Sequence, residues 1–424
     1  MKTVSIALLA GVIGGAFAHP AAEAATFTEK VVHSFAGGTD GARPFGNVLD
    51  VKGTLYGTTI NGGKGCHKLG CGTAFSIKLS TGVEAVRYSF GNHGPAPEGG
   101  LIDVNGKLYG TTFYGGGKGC GGPGCGTVFS LDMKTGTEKV LYSFCRQQNC
   151  ADGRYPAAGL TEVGATLYGT TSQGGVNCAN EGGCGTVISI NPQTGAETVL
   201  YSFCGQQNCA DGWGPLADMI GINGILYGTT ALGGAYNDGT VFSLDPATGE
   251  ETVLYSFSGG ADGQYPAAAL TNVNGVLYGT TAYGGGTGCE GSSGCGTVFS
   301  LDPGIGTEKV LYSFCSRKNC TDGAEPWAGL IDENGVLYGT TDFGGASGNG
   351  GETDCSPNPG CGTVFSFEPG TGAEKVVYSF CSQQNCADGA EPWTGLTNVK
   401  GTLYGATELG GTFEFGTVFK LAQH

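Results

Sequence analysis

The chain has 424 residues, of which 84 are glycine and 13% are charged, and its formal net charge is −16. This acidity excludes a nucleic-acid partner, because phosphate binding needs a cationic face, and no Lys/Arg-rich run exists to bind an anionic membrane surface. The glycines follow no triplet, which excludes collagen, and 10% aromatic residues spread over recurring apolar runs exclude disorder.

The chain opens with Lys2 and an apolar run from Val4 to Phe17, followed by small-x-small sites ending at Ala18 and Ala24. This pattern reads as an export signal, with cleavage expected after Ala24 or alternatively after Ala18. The run is short for a membrane span of about 20 residues, and no later segment is apolar enough to cross a bilayer. The sequence thus divides into a signal peptide, 1–24, and one domain, 25–424, in a secreted or periplasmic, monomeric protein.

From there one unit repeats seven times, centred on Tyr56, Tyr109, Tyr168, Tyr227, Tyr278, Tyr338 and Tyr404. A period of this length signals a repeat architecture. In the copy from Tyr265 to Phe314, Ala268–Val273 is predicted as a first strand and Asn274-Gly275 as a hairpin turn. Val276–Thr281 is the second strand and Thr297–Asp302 the third. Glu308–Phe314 is the fourth, with Val310, Tyr312 and Phe314 on one side. Four antiparallel strands per unit, repeated radially, describe a propeller blade. The glycine inside each second strand, such as Gly57 or Gly110, predicts close packing of neighbouring sheets. The domain begins with a lone fourth strand, Glu29–Phe35, and ends on a third strand, Gly416–Leu421. Pairing the N-terminal strand with the C-terminal three closes an all-β, seven-bladed propeller without exposed edges.

The 18 cysteines fall into nine close pairs. Five lie between second and third strands: Cys66/Cys71, Cys120/Cys125, Cys178/Cys184, Cys289/Cys295 and Cys355/Cys361. Four lie between blades: Cys145/Cys150, Cys204/Cys209, Cys315/Cys320 and Cys381/Cys386. No loop holds a single cysteine, and the spacers are longer than zinc sites favour, so local disulfides are expected in an exported chain. Each short loop gains roughly 2 kcal/mol by the chain-entropy estimate. Strand order puts all these loops on one face, which is then the expected functional surface.

The interblade linkers share an Asp-Gly followed by proline, with the aspartates at Asp40, Asp152, Asp211, Asp262, Asp322 and Asp388. A carboxylate ring can bind calcium, but a repeated Asx turn explains the pattern equally. Phe45, Tyr155, Trp213, Tyr265, Trp327 and Trp393 stand at or beside the linker proline. Aromatic faces with neighbouring carboxylates suit sugar rings, although the same rings can act as wedges between blades. Arg43, Arg154, His67 and Tyr114 are unrepeated polar groups on the same face. Glu325 and Glu391 precede Pro-Trp in adjacent linkers and are candidate catalytic carboxylates.

The run Leu-Tyr-Gly-Thr-Thr, then Gly-Gly, Gly-Thr-Val-Phe-Ser-Leu-Asp-Pro and Thr-Gly-x-Glu resembles the bacterial GloVer (Gloeo/Verruco) tandem repeat, and more loosely the kelch propeller pattern. The resemblance covers the mature chain and implies a propeller, but brings no catalytic residues. Family members carry varied anchoring tails, and this chain departs from them by ending on the closing strand. Three functions stand open: an extracellular module binding a glycan or surface ligand through Tyr155, Trp213, Tyr265, Trp327, Trp393, Arg43 and Arg154; a glycan lyase or hydrolase on the same face; or a structural, adhesive surface protein.

Overall fold

The computed structural model describes residues 26–65, 70–91, 95–117, 119–177, 183–286, 289, 294–346, 355 and 360–424. The expected export signal, Cys66, His67 and Cys178 lie outside them.

Seven four-stranded antiparallel sheets form the ring. Six are built from consecutive strands, and we number them blades 1 to 6 from the sheet spanning 42–89 onward. The seventh joins Thr397–Val399, Thr402–Thr407 and Thr417–Gln423 to the N-terminal strand Phe27–Ser34. That last pairing runs antiparallel from Phe27↔Gln423 to Ser34↔Thr417, which is the closure expected from the complementary ends. No helix among the described residues is long and apolar enough to cross a membrane.

Each blade buries both of its faces against its neighbours. Val241, Phe257, Phe299 and Leu301 form one cluster between blades 4 and 5, and Val298, Phe314, Phe365 and Phe367 form the next between blades 5 and 6. The apolar core is therefore a circle of interblade seams. Threonines stitch these seams as well: Thr340 Oγ1 in blade 6 donates to the Thr394 carbonyl of blade 7 at 2.9 Å.

Three local expectations are corrected. The first strand of the unit spans Thr271–Val273 rather than starting at Ala268, because the Ala268 carbonyl accepts instead from Thr229 of the preceding blade. The fourth strand carries a bulge: Val298 faces Tyr312, whereas Phe299 faces Val310. Residues 298 and 299 project to opposite sides of the sheet, so Val310 leaves the side that Tyr312 and Phe314 share. The same slip occurs in all seven sheets. Finally, the second-strand glycine makes room within its own blade. A Cβ on Gly279 would meet the ring of Phe299, its direct cross-strand partner, at 2.5 Å.

The disulfides are local, as expected. Cys120–Cys125, Cys145–Cys150, Cys204–Cys209, Cys289–Cys295, Cys315–Cys320, Cys355–Cys361 and Cys381–Cys386 are bonded. Cys71 and Cys184 are disulfide-bonded too. In blades 2 and 5 the loop and linker pairs bring their four sulfur atoms within 4.8 Å of one another.

The linker aspartate is the hub of its turn. Asp152 accepts from the Tyr142 hydroxyl at 2.7 Å and from the Arg146 and Gln147 backbone N–H groups at 2.8 and 3.1 Å. Asp211, Asp322 and Asp388 repeat the arrangement with Tyr201, Tyr312 and Tyr378. These oxygens therefore serve the linker's own donors, as the turn alternative supposed. Beside each aspartate lies a glutamate from the next blade. Burial, reinforced by the aspartate's charge, pushes Glu29, Glu84, Glu197 and Glu251 up to about 7 and Glu308 to about 8. Glu374 reaches about 7 despite an ion pair with Arg317 at 2.7 Å.

A carboxyl raised in the folded state binds more protons there than in the unfolded chain between pH about 4.5 and 7, so stability falls as pH rises through that window. Six such groups act in concert. The melting temperature is expected to be roughly 5 °C or more higher at pH 5 than at pH 8 by calorimetry; an equal or lower value at pH 5 contradicts this account.

Candidate functional site

The site is built on one backbone position that recurs in every blade. The residue before the linker proline is Arg43, Ala96, Tyr155, Gly214, Tyr265, Glu325 or Glu391, and all seven have φ between 56° and 67°. This left-handed conformation is uncommon for a residue with a side chain. Hydrogen bonds hold it on both sides. The N–H of Tyr155 donates to the Cys125 carbonyl, that of Glu325 to Cys295 and that of Glu391 to Cys361, at 2.8, 2.8 and 2.9 Å. Their own carbonyls accept from Ser172, Asp342 and Glu408 at 3.0, 3.0 and 2.9 Å. The adjoining proline packs where a Cβ on the glycine after the cysteine would stand, 2.5 Å from Pro326 Cδ at Gly296. The loop after each second strand thus fixes where this residue enters the loop face; five of the accepting carbonyls belong to disulfide-bonded cysteines, and Asp238 and Phe415 supply the other two for Tyr265 and Arg43.

Four of the aromatic candidates are drawn together, one each from blades 1, 7, 6 and 5. Phe45 lies 5.8 Å from Trp393, Trp393 stacks on Trp327 at 5.0 Å and 15°, and Trp327 meets Tyr265 edge-on at 5.6 Å. Tyr283 completes the wall at 5.7 Å from both Tyr265 and Trp327. These rings are half-buried, which leaves part of each open to a ligand.

Next to the wall, carboxylates converge. Glu325 and Glu391 are joined by Asp342 and Glu408, which follow the second strands of blades 6 and 7. Arg43, from blade 1, is hydrogen-bonded and ion-paired to Glu408. Asp342 is 1% exposed, and neither of its oxygens has an aligned hydrogen-bond donor. Burial, then the charges of Glu391, Glu408 and Glu325, push its carboxyl far above the ordinary range, tempered by the Trp393 indole. Burial also raises Glu325, tempered by Trp327. Carboxyls raised by burial and by one another's charge in one place mark a candidate functional site.

The other candidates stand elsewhere. Tyr155 stacks on Phe113 at 5.0 Å and 12°, with Tyr114 edge-on at 5.9 Å. Arg154 lies over the Tyr155 ring and donates to Gln173 Oε1 at 2.9 Å. Half-buried Glu98, pushed up to about 7 by burial, adjoins this second group. Trp213 departs from expectation: it packs against the apolar cluster that contains Cys184, Phe203 and Phe242 in the seam between blades 3 and 4. It stands two residues before its proline, whereas Trp327 and Trp393 directly follow theirs, so its ring leaves on another side. Asp342 and Glu408 were missed in the sequence. Their signal was the residue after the paired threonines, which is Ile60, Phe113, Ser172, Ala231 and Ala282 in the other blades. Among the described residues, groups with ligand atoms within 4.8 Å of one another are the cysteine clusters and His33/Asp40/Glu84, the rim triad at the closure.

Replacing Asp342 by Asn removes a group whose raised pKa costs stability as pH climbs. Asp342→Asn is expected to gain melting temperature over the parent at pH 8, and the gain is expected to shrink at pH 5, measured by differential scanning fluorimetry.

The chain is similar in fold to solved structures. The extracellular domain of a B. thetaiotaomicron protein described as a one-component system aligns over 91% of this chain and 39% of that one, at 10% identity and a TM-score of 0.52. An oligogalacturonate lyase from Vibrio parahaemolyticus aligns over 94% and 96%, at 8% identity and a TM-score of 0.47. A nidogen/laminin complex chain aligns over 73% and 91%, at 13% identity and a TM-score of 0.42. Comparison with curated proteins gives no match. The model of the Gloeobacter/Verrucomicrobia repeat matches at 14–181, 178–359 and 291–424, and the chain belongs to that repeat family.

Proposed function

We propose that this propeller is an exported sugar-binding module whose loop face holds a glycan against the wall formed by Phe45, Trp393, Trp327 and Tyr265. The observation that carries this reading is the convergence of half-open rings from four consecutive blades beside ionisable carboxyls. Ring faces supply apolar area for sugar C–H groups, and carboxylates accept from hydroxyls at the edge. Export fits the disulfide-closed loops, which persist in oxidising compartments. Binding on a glycan array is expected to fall by tenfold or more, about 1.4 kcal/mol, in Trp327→Ala and Trp393→Ala. Unchanged binding in both folded variants removes the wall from the reading.

A second reading, glycosidic cleavage, draws on one observation: Glu325 and Asp342 are held toward their protonated forms beside Glu391. A raised carboxyl donates a proton to a leaving oxygen while an ionised neighbour activates water or attacks. Because Asp342 is buried, Glu325 takes the acid role and Glu391 the base. Sugar release from a bound polysaccharide, lost in Glu391→Gln with the melting temperature unchanged, selects this reading; binding without any release rejects it.

A further inference from the structure

Charge at the mouth is lopsided. Four carboxyl groups, Glu325, Glu391, Asp342 and Glu408, gather here, and the guanidinium of Arg43 is engaged by Glu408. Asp342 lies beneath the other acids, 1% exposed and without an aligned donor on either oxygen. Packing does not require an acid at that position, since Ala231 and Ala282 fill it in blades 4 and 5. A buried carboxyl without an aligned donor costs stability when it ionises, and a cation arriving at the mouth offsets that cost.

The wall beside it attracts the same charge. Indole faces carry negative potential, and a cation over Trp is attracted more strongly the more it is desolvated. A uronate or sulfated sugar meets repulsion at the same place. Tyr265 and Tyr283 stay neutral, because burial raises both hydroxyls further from ionisation.

We infer that this end of the mouth selects sugars bearing an ammonium group, with the cation held between the Glu325 and Glu391 carboxylates and the open parts of the Trp327 and Trp393 rings. The inference rests on the sugar-binding reading and narrows its ligand class. Asp342 is buried and does not touch the sugar, and a cation at the mouth favours its ionised form.

The test is calorimetric titration of the full-length protein at about pH 8 and low salt. Three probes are compared: a β-1,4-glucosamine tetramer trimethylated on nitrogen, so that its charge is fixed; the N-acetylated tetramer; and tetragalacturonate. The cationic tetramer is expected to bind about tenfold or more tightly than the acetylated one, tetragalacturonate most weakly, and the advantage is expected to shrink as salt is added. In the double variant Glu325→Gln/Glu391→Gln, with its melting temperature confirmed, the two tetramers are expected to bind alike. Equal binding of both tetramers by the parent protein, or a preference that survives in the double variant, overturns the proposal while leaving sugar binding intact. Binding of none of the three, together with a blank glycan array, overturns the sugar-binding reading and this one with it.

Discussion

A four-stranded blade with apolar side chains on both faces cannot be stable alone, because each face needs a partner. Here six of the seven seams pack phenylalanines from both neighbouring blades, such as Phe257 against Phe299 at 5.1 Å and Phe314 against Phe365 at 5.0 Å, and the seventh sets Phe144 against Ile188. An open stack would leave two such faces in water, and burial is worth about 25 cal/mol per Å² of apolar surface. Closing the circle through Phe27–Ser34 removes both at once. The rest follows from that closure: one face of the ring carries tight hairpins and the other carries every long loop.

Symmetry of the core makes asymmetry at the mouth informative. The left-handed residue before proline has the same hydrogen bonds in blade after blade, yet its side chain is Arg, Ala, Tyr, Gly, Tyr, Glu and Glu in turn. Holding a residue with a side chain in that conformation costs about 1–3 kcal/mol. The loop after the second strand compensates by supplying the accepting carbonyl, as Cys295 does for Glu325, Asp238 for Tyr265 and Phe415 for Arg43. These loops therefore act on the site through the backbone. They fix where a side chain enters the mouth and leave its chemistry free to differ.

How much of this was legible in sequence depends on how local the cause is. The second and third strands, Val276–Thr281 and Thr297–Asp302, were read to the residue, because paired threonines and a hairpin turn mark their ends. Disulfide pairing was legible because the partners are five or six residues apart. The bulge at Leu311 was not, since a strand's alternation looks regular until its partner's register is known. The three tryptophans looked equivalent because each lies near a proline, but a shift of position relative to that proline changes the side from which the ring projects. Asp342 was hidden for a different reason. A single acid in an otherwise varied column looks like surface variation, and only the seam between blades reveals that it is buried.

That buried acid separates a wedge from a site. If the aromatic wall existed only to fill space at the centre of a glycine-rich ring, apolar or hydroxyl neighbours would serve, and blades 3, 4 and 5 have Ser172, Ala231 and Ala282 in the corresponding column. Blades 6 and 7 instead place Asp342 and Glu408 there, 1% and 4% exposed, next to the stacked tryptophans. Crowding carboxyls in a region of low dielectric opposes folding whenever they ionise, and Arg43 is engaged by Glu408. The fold tolerates this load because its stability is spread around seven seams rather than concentrated at the mouth. The arrangement is therefore intelligible as a surface held ready for a partner that brings positive charge.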